Sequence, residues 1–298
     1  MTASARSSAA RTSLLGIGCL VTGLALTGCG SVLDGPGDGG GGGGGGSAPY
    51  DHPTGAEDVL VSIKAEGGFV PLEYNLRNTA QFLLLGDGTV IVPGAVMEIY
   101  PGPAISPLQA ATVNEGQIQE LFAAADAAGL LAGEIDYGQP AVTDVPTTTV
   151  TLTVGGRTVS QSAYGLSYQD APDTGLTEAN VLAREALQAF IDTAQGLAGA
   201  DSEPYAPTGI VAYRLSAESA PPVVDEGLEQ EPRPWPIATA PAPPTAGIGS
   251  CVAVIGAEAQ TLLAALVEAN ELTPWLIETD PPSRMAFRPL LPGDPGCE

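Results

Sequence analysis

The sequence predicts an α+β fold in which antiparallel sheets built from hairpins carry helices on one face. Paired apolar runs flank short glycine turns, at Gly86-Asp87-Gly88 and at Gly155-Gly156. Two longer stretches repeat apolar residues at helical spacing behind a capping residue, Asn114 in one and Thr177 in the other. Strands and helices in this order, joined by hairpins, point to an antiparallel sheet.

The elements follow in chain order. Val59, Val61 and Ile63 alternate as a strand that Gly67-Gly68 interrupts, and another extended piece follows. "QFLLLGDGTVIVPG" reads as a hairpin turning at Gly86–Gly88. "NEGQIQELFAAADAAGLL" reads as a helix capped by Asn114, with Ile118, Leu121, Phe122 and Ala125 on its apolar face and Gly129 as its stop. "TTTVTLTVGGRTVSQSAYGL" is a second hairpin. A second helix begins at Thr177, with Leu182, Ala186, Leu187 and Phe190 expected as its buried stripe. Beyond Asp201 come the strand "YAPTGIVAYRLS", a Pro/Glu-rich loop, a third helix through "AEAQTLLAALVEANELTPWL", closed by Trp275, and the strand "RMAFRPLLPG". This order divides the body into an α+β domain over 57–200 and a smaller α+β unit over 201–298.

Composition narrows the function. Of 298 residues, 34 are acidic and 10 basic, for a net charge of −24. Arg6 and Arg11 precede the first carboxylate, Asp34, so the body is more acidic still. Such a surface repels phosphate backbones, and nucleic acid is excluded as a partner. The single histidine, His52, lies in a Pro/Gly-rich tract, unsuited to holding a nucleophile. That count also removes Cys/His zinc chemistry. Carboxylate pairs such as Asp136 with Asp144, Asp170 with Asp173 and Asp225 with Glu226 have no EF-hand spacing and read as solvated surface. "DTG" at 173–175 has the triplet of aspartic peptidases but stands at the start of a helix, without the second copy that chemistry needs. The residues assign no catalytic group, no metal site and no cofactor.

Of four cysteines, Cys251 and Cys297 fall in the body. In an exported chain an even pair reads as a disulfide, worth about 3–4 kcal/mol for a loop of that length; the alternative is two free buried thiols. Arg233 and Trp235, in the proline-stiffened "RPWP", either anchor a partner or pin a long loop to the core.

The N-terminus carries an address. Arg6 and Arg11 precede the 14-residue apolar run Ser13–Leu26, too short to span a bilayer comfortably. "LTGC", Leu26 to Cys29, follows: an aliphatic residue, two small ones and a cysteine. This resembles the lipobox of bacterial lipoproteins, of actinobacterial type given the Arg-, Gly- and Pro-rich composition. The resemblance implies a signal peptide over 1–28, diacylglycerol on Cys29, and residence at the outer face of the cell membrane. An ordinary cleaved signal with an incidental cysteine is the alternative. Residues 29–56 then form a glycine-rich tether with an r.m.s. span of about 25–30 Å.

A second resemblance covers about Val59 to Leu197. The order of elements, with "GGF" at Gly67–Phe69 and "VGGR" at Val154–Arg157, is similar to that of emfourin-type inhibitors of thermolysin-like metalloproteases. It implies a protein-directed module and transfers no functional residue. The expectation is therefore a membrane-anchored, non-catalytic surface binding module. Its alternatives are a protease-inhibitor-like interaction module and a hydrolase using paired carboxylates. Its partners are the membrane, through Cys29, and an unknown surface protein or ligand.

Overall fold

The computed structural model describes residues 50–168, 173–199, 201–216, 227–244 and 250–297. The expected signal peptide, Cys29 and most of the expected tether lie outside the described residues, as do Asp170, Asp225 and Glu226. Residues 47–298 form one compact unit.

The architecture is α+β and mostly sheet. Chain order begins β1 (Val59–Gly67), α1 (Leu72–Arg77), β2 (Phe82–Leu85), β3 (Thr89–Pro93), β4 (Leu108–Thr112), α2 (Glu115–Ala127), β5 (Pro146–Val154), β6 (Arg157–Tyr164) and α3 (Glu178–Gly196). It continues with β7 (Glu203–Tyr205), β8 (Gly209–Arg214), β9 (Arg233–Pro234), β10 (Ser250–Ile255), α4 (Gly256–Val267), β11 (Trp275–Leu276) and β12 (Met285–Leu290). A seven-stranded antiparallel sheet has the order β6-β5-β1-β2-β3-β4-β7. A three-stranded sheet has the order β10-β8-β12. The segment expected to open the second unit thus supplies β7 to the larger sheet, against β4.

Both hairpins form as the turn residues dictate. Gly88 has φ +86°, and a Cβ there would stand 2.4 Å from the Val113 carbonyl oxygen, so no other residue closes this turn without strain. The β2 sequence FLLL is buried on both faces. Phe82 and Leu84 join the core beneath α2 and α3. Leu83 and Leu85 pack on the opposite face against Ile91, Leu108 and Leu291 from the C-terminal segment. A continuous apolar run is what a strand covered on both sides requires.

Helix α2 buries Ile118, Leu121, Phe122 and Ala125. In α3 the stripe is displaced: Arg184, Leu187, Phe190, Ile191 and Ala194 are buried, whereas Leu182 is 59% exposed. The third predicted helix is shorter than expected, since α4 ends at Val267. Asn270 Oδ1 accepts from the backbone of Leu272 at 2.9 Å, closing a local turn, and Pro274 follows. Trp275 accordingly sits in β11, paired in parallel with β9, rather than at a helix end.

The expected tether also ends sooner. Tyr50 donates its backbone N–H to Gln119 Oε1 at 3.0 Å and packs against Phe122, and Asp51 accepts from Gly155 at 2.7 Å. The body therefore already includes Tyr50, the first described residue, several residues before 57, because an aromatic residue finds an apolar seat on α2. Among the described residues, no helix is long and apolar enough to cross a membrane.

Candidate functional site

The described surface concentrates apolar side chains where β3 passes to β4. Residues 94–107, "GAVMEIYPGPAISP", leave the sheet and return to it as a loop closed at its base by Gly94 N–H donating to the Pro107 carbonyl at 2.8 Å. Its descending arm is pinned to the chain after α4. Gly102 donates to Glu271 Oε1 at 2.7 Å, Glu271 N–H donates back to the Gly102 carbonyl at 3.0 Å, and Ala104 N–H reaches the Ala269 carbonyl at 3.4 Å. Glu271 is itself held by Arg77 of α1 at 3.6 Å. Burial pulls the Arg77 guanidinium below its ordinary pKa, and the carboxylates of Glu271 and Glu73 work in the opposite sense.

The loop tip is left facing solvent. Val96, Met97, Ile99 and Tyr100 are all exposed, Met97 by 73%. Opposite it runs the last turn of α4, with Leu263, Leu266 and the 72%-exposed Val267. A third wall comes from "PYAP", Pro204–Pro207, which includes the end of β7. Together they enclose a groove of about 630 Å³, within the range of small-molecule sites.

Its chemistry is uniform. None of the described lining residues is Asp, Glu, Lys, Arg or His, and five are proline, which has no N–H to offer. The Asn270 side chain is already engaged, donating to Gln230 Oε1 at 2.8 Å while accepting from Leu272. Burial, with the nearby carboxylates of Glu57 and Asp87, raises the Tyr205 phenol above its ordinary pKa. Besides Asn270 and Tyr205, the described lining offers one further polar side chain, the Ser106 hydroxyl, and no carboxylate, lysine or histidine lines the groove to act on it as a general base.

The residues singled out in the sequence lie elsewhere. Cys29 is outside the described residues. Cys251 on β10 and Cys297 stand at disulfide distance, 2.03 Å between sulfurs and 5.7 Å between Cα atoms. The same tail is held by buried Arg288, which pairs with Asp294 and donates to the Gly296 carbonyl at 2.6 Å. Trp235 stacks on Phe287 with centroids 6.3 Å apart and meets Trp275 edge-on at 5.8 Å, while its indole N–H donates to the Thr239 carbonyl at 2.9 Å. Arg233 reaches the Ala265 carbonyl at 3.4 Å. Both side chains are spent on pinning the long loop to the core.

His52 places Nδ1 2.9 Å from the Pro53 carbonyl oxygen and Nε2 3.2 Å from the Glu115 carboxylate, with no nucleophile among its partners. Asp173 occupies a left-handed turn position ahead of α3. Among the described residues, no group of three or more His, Cys, Asp or Glu is arranged to hold a metal ion. Sequence reasoning missed the groove. The available signal was the hexapeptide Ala95–Tyr100, apolar but for Glu98 and bracketed by glycine and proline in a segment with no strand or helix pattern. No protein-family model matches the chain, and no curated protein matches it.

Proposed function

We propose that the chain is a lipid-anchored extracytoplasmic module that binds a ligand rather than converting one, and that the 94–107 loop and α4 form its binding site. The observation that carries the site is the coincidence of exposed Met97, Ile99 and Val267 around a groove lined by no charged side chain among the described residues. A protein with 34 acidic residues has ample means to cover its surface with charge, and this face departs from that. The anchor rests on the sequence: basic n-region, 14-residue apolar run and "LTGC" agree in position. Two or more acyl chains on Cys29 would hold the body stably at a bilayer.

The two parts are tested separately. Cys29→Ala should move the protein from the membrane fraction to the soluble fraction, and continued partitioning into detergent would overturn the anchor. For the site, an uncharged polarity-sensitive dye should brighten on the full chain, and Val267→Arg should lower that affinity at least tenfold. Unchanged binding would remove the groove as its site.

A second reading, a protein-directed module, is favoured by a different observation. Gly67 and Gly68 adopt φ +81° and +87°, and the chain then lifts Phe69 to 88% exposure beside Val70 and Tyr74. A rigid exposed aromatic suits a protein interface. Phe69→Ser abolishing capture of a surface protein that Val267→Arg leaves intact would select it.

A further inference from the structure

The reading of the groove as a binding site leaves its ligand unnamed, and the lining chemistry goes further. We propose that the groove holds one hydrocarbon chain of a zwitterionic or uncharged lipid from the leaflet that carries the anchor. This inference rests on the proposed site.

An extended peptide is a poor occupant. It would bring backbone N–H and C=O groups into a groove whose walls offer few partners, and each unpaired group would carry its full desolvation cost. Five of the lining residues are prolines and Asn270 is engaged internally, which leaves the hydroxyls of Ser106 and Tyr205 as the remaining polar side-chain groups among the described lining residues. Strand addition to the adjacent sheet edge is blunted as well, because β7 is three residues long with Pro204 at its centre. A hydrocarbon chain demands none of these hydrogen bonds. It needs only apolar walls, which Met97, Ile99, Leu263, Leu266 and Val267 supply.

Charge selects the head. Glu98, Glu203 and Glu268 are exposed and each stands next in sequence to a lining residue, in a protein of net charge −24. An anionic headgroup would be repelled there, and a choline, ammonium or uncharged polyol head would not.

Chain length supplies access. Twenty residues separate Cys29 from Tyr50, and such a segment reaches at most about 70 Å. A body of this size has a radius of gyration of about 18 Å. A segment of that reach lets most faces of such a body approach the leaflet in which Cys29 would be embedded.

The experiment uses the full chain, purified and mixed with vesicles of phosphatidylcholine carrying a diazirine on one acyl chain. Mass spectrometry after irradiation should place the label in 95–108 and 263–270. Ile99→Asp and Val267→Arg, both at exposed positions and so harmless to folding, should each lower labelling at least tenfold, while Phe69→Ser leaves it unchanged. Replacing phosphatidylcholine by phosphatidylglycerol should lower it severalfold.

Label scattered over the body, or labelling undiminished in both variants, would overturn the proposal. Preferential labelling by phosphatidylglycerol would overturn the headgroup argument. Dye binding that responds to Val267→Arg without any lipid label would keep the site and sink the lipid, and loss of both would sink the site too. A dimer by light scattering that protects 95–100 from labelling would assign the groove to a second copy instead.

Discussion

Arg184 stands fully buried on α3 among Leu187, Phe190 and Ile191. Its donors go to main-chain carbonyls: Nη1 to Tyr137 at 2.9 Å, and Nη2 to Tyr164 and Gly165 at 2.7 and 2.6 Å. Nε has no hydrogen-bond partner. Burial holds the guanidinium below its ordinary pKa, yet an arginine keeps its charge throughout the physiological range. One planar fork thus ties the 137–138 and 164–165 turns to α3, a task a single ammonium cannot share. Arg184→Leu should destabilise the protein by about 3 kcal/mol or more, because several buried carbonyls lose their donor. Arg184→Lys should recover only a fraction of that, as read from urea midpoints. Equal stability of Lys and Arg at this position would refute the clamp. The helical spacing of α3 and the core places of Leu187 and Phe190 were legible in the sequence, but the exchange at its N-terminal half was not: a charged residue reads as solvent-facing and Leu182 as core, and the carbonyls that reverse this lie about 20 to 47 residues away.

The elements that could be read in advance are those whose hydrogen bonds are local. Asn114 and Thr177 each accept from the backbone three residues on, at 3.1 Å in both cases, and in each the third residue's side chain returns the bond. Both are capping boxes, in α3 with Asn180 in the reciprocal position. Asn180 is also nearly buried and donates to the Asp136 carbonyl at 2.9 Å. Thr177→Ala should cost about 1–2 kcal/mol and speed amide exchange in the first turn of α3 while leaving α2 unchanged. Uniform acceleration across both helices would mean that the cap does not act locally. Other elements had no local signature. β4, β7, β9 and β11 are short, and each is a strand only because a partner from far along the chain completes its ladder. Pro289 is tolerated in β12 because β12 is an edge of its sheet.

At the scale of the whole molecule, the two sheets are joined by charge. Glu73 on α1 pairs with Arg284 at 3.1 Å, and Arg77 on the same helix pairs with Glu271, which also carries the backbone of Gly102. α1 packs against β12, so the network links the large sheet, the small sheet and the groove loop at one place. Glu271→Ala should lower stability by about 2–3 kcal/mol, since it leaves a largely buried arginine without its carboxylate. It should also raise amide exchange at 99–104 beyond that of the sheet. A stability loss with no local change in exchange would separate Glu271 from the loop.

The sequence by itself determined the hairpins, the two capping boxes, the strongly acidic composition, and the N-terminal motif from which acylation at Cys29 is proposed. All depend on residues within a few positions of one another or on composition alone. Tertiary structure decided that Arg184 is core and Leu182 is not, that Trp235 and Arg233 pin a loop, and that Ala95–Tyr100 faces Val267 across an apolar groove. These outcomes join segments more than a hundred residues apart in the case of the groove. No local pattern records which distant surface a side chain will meet.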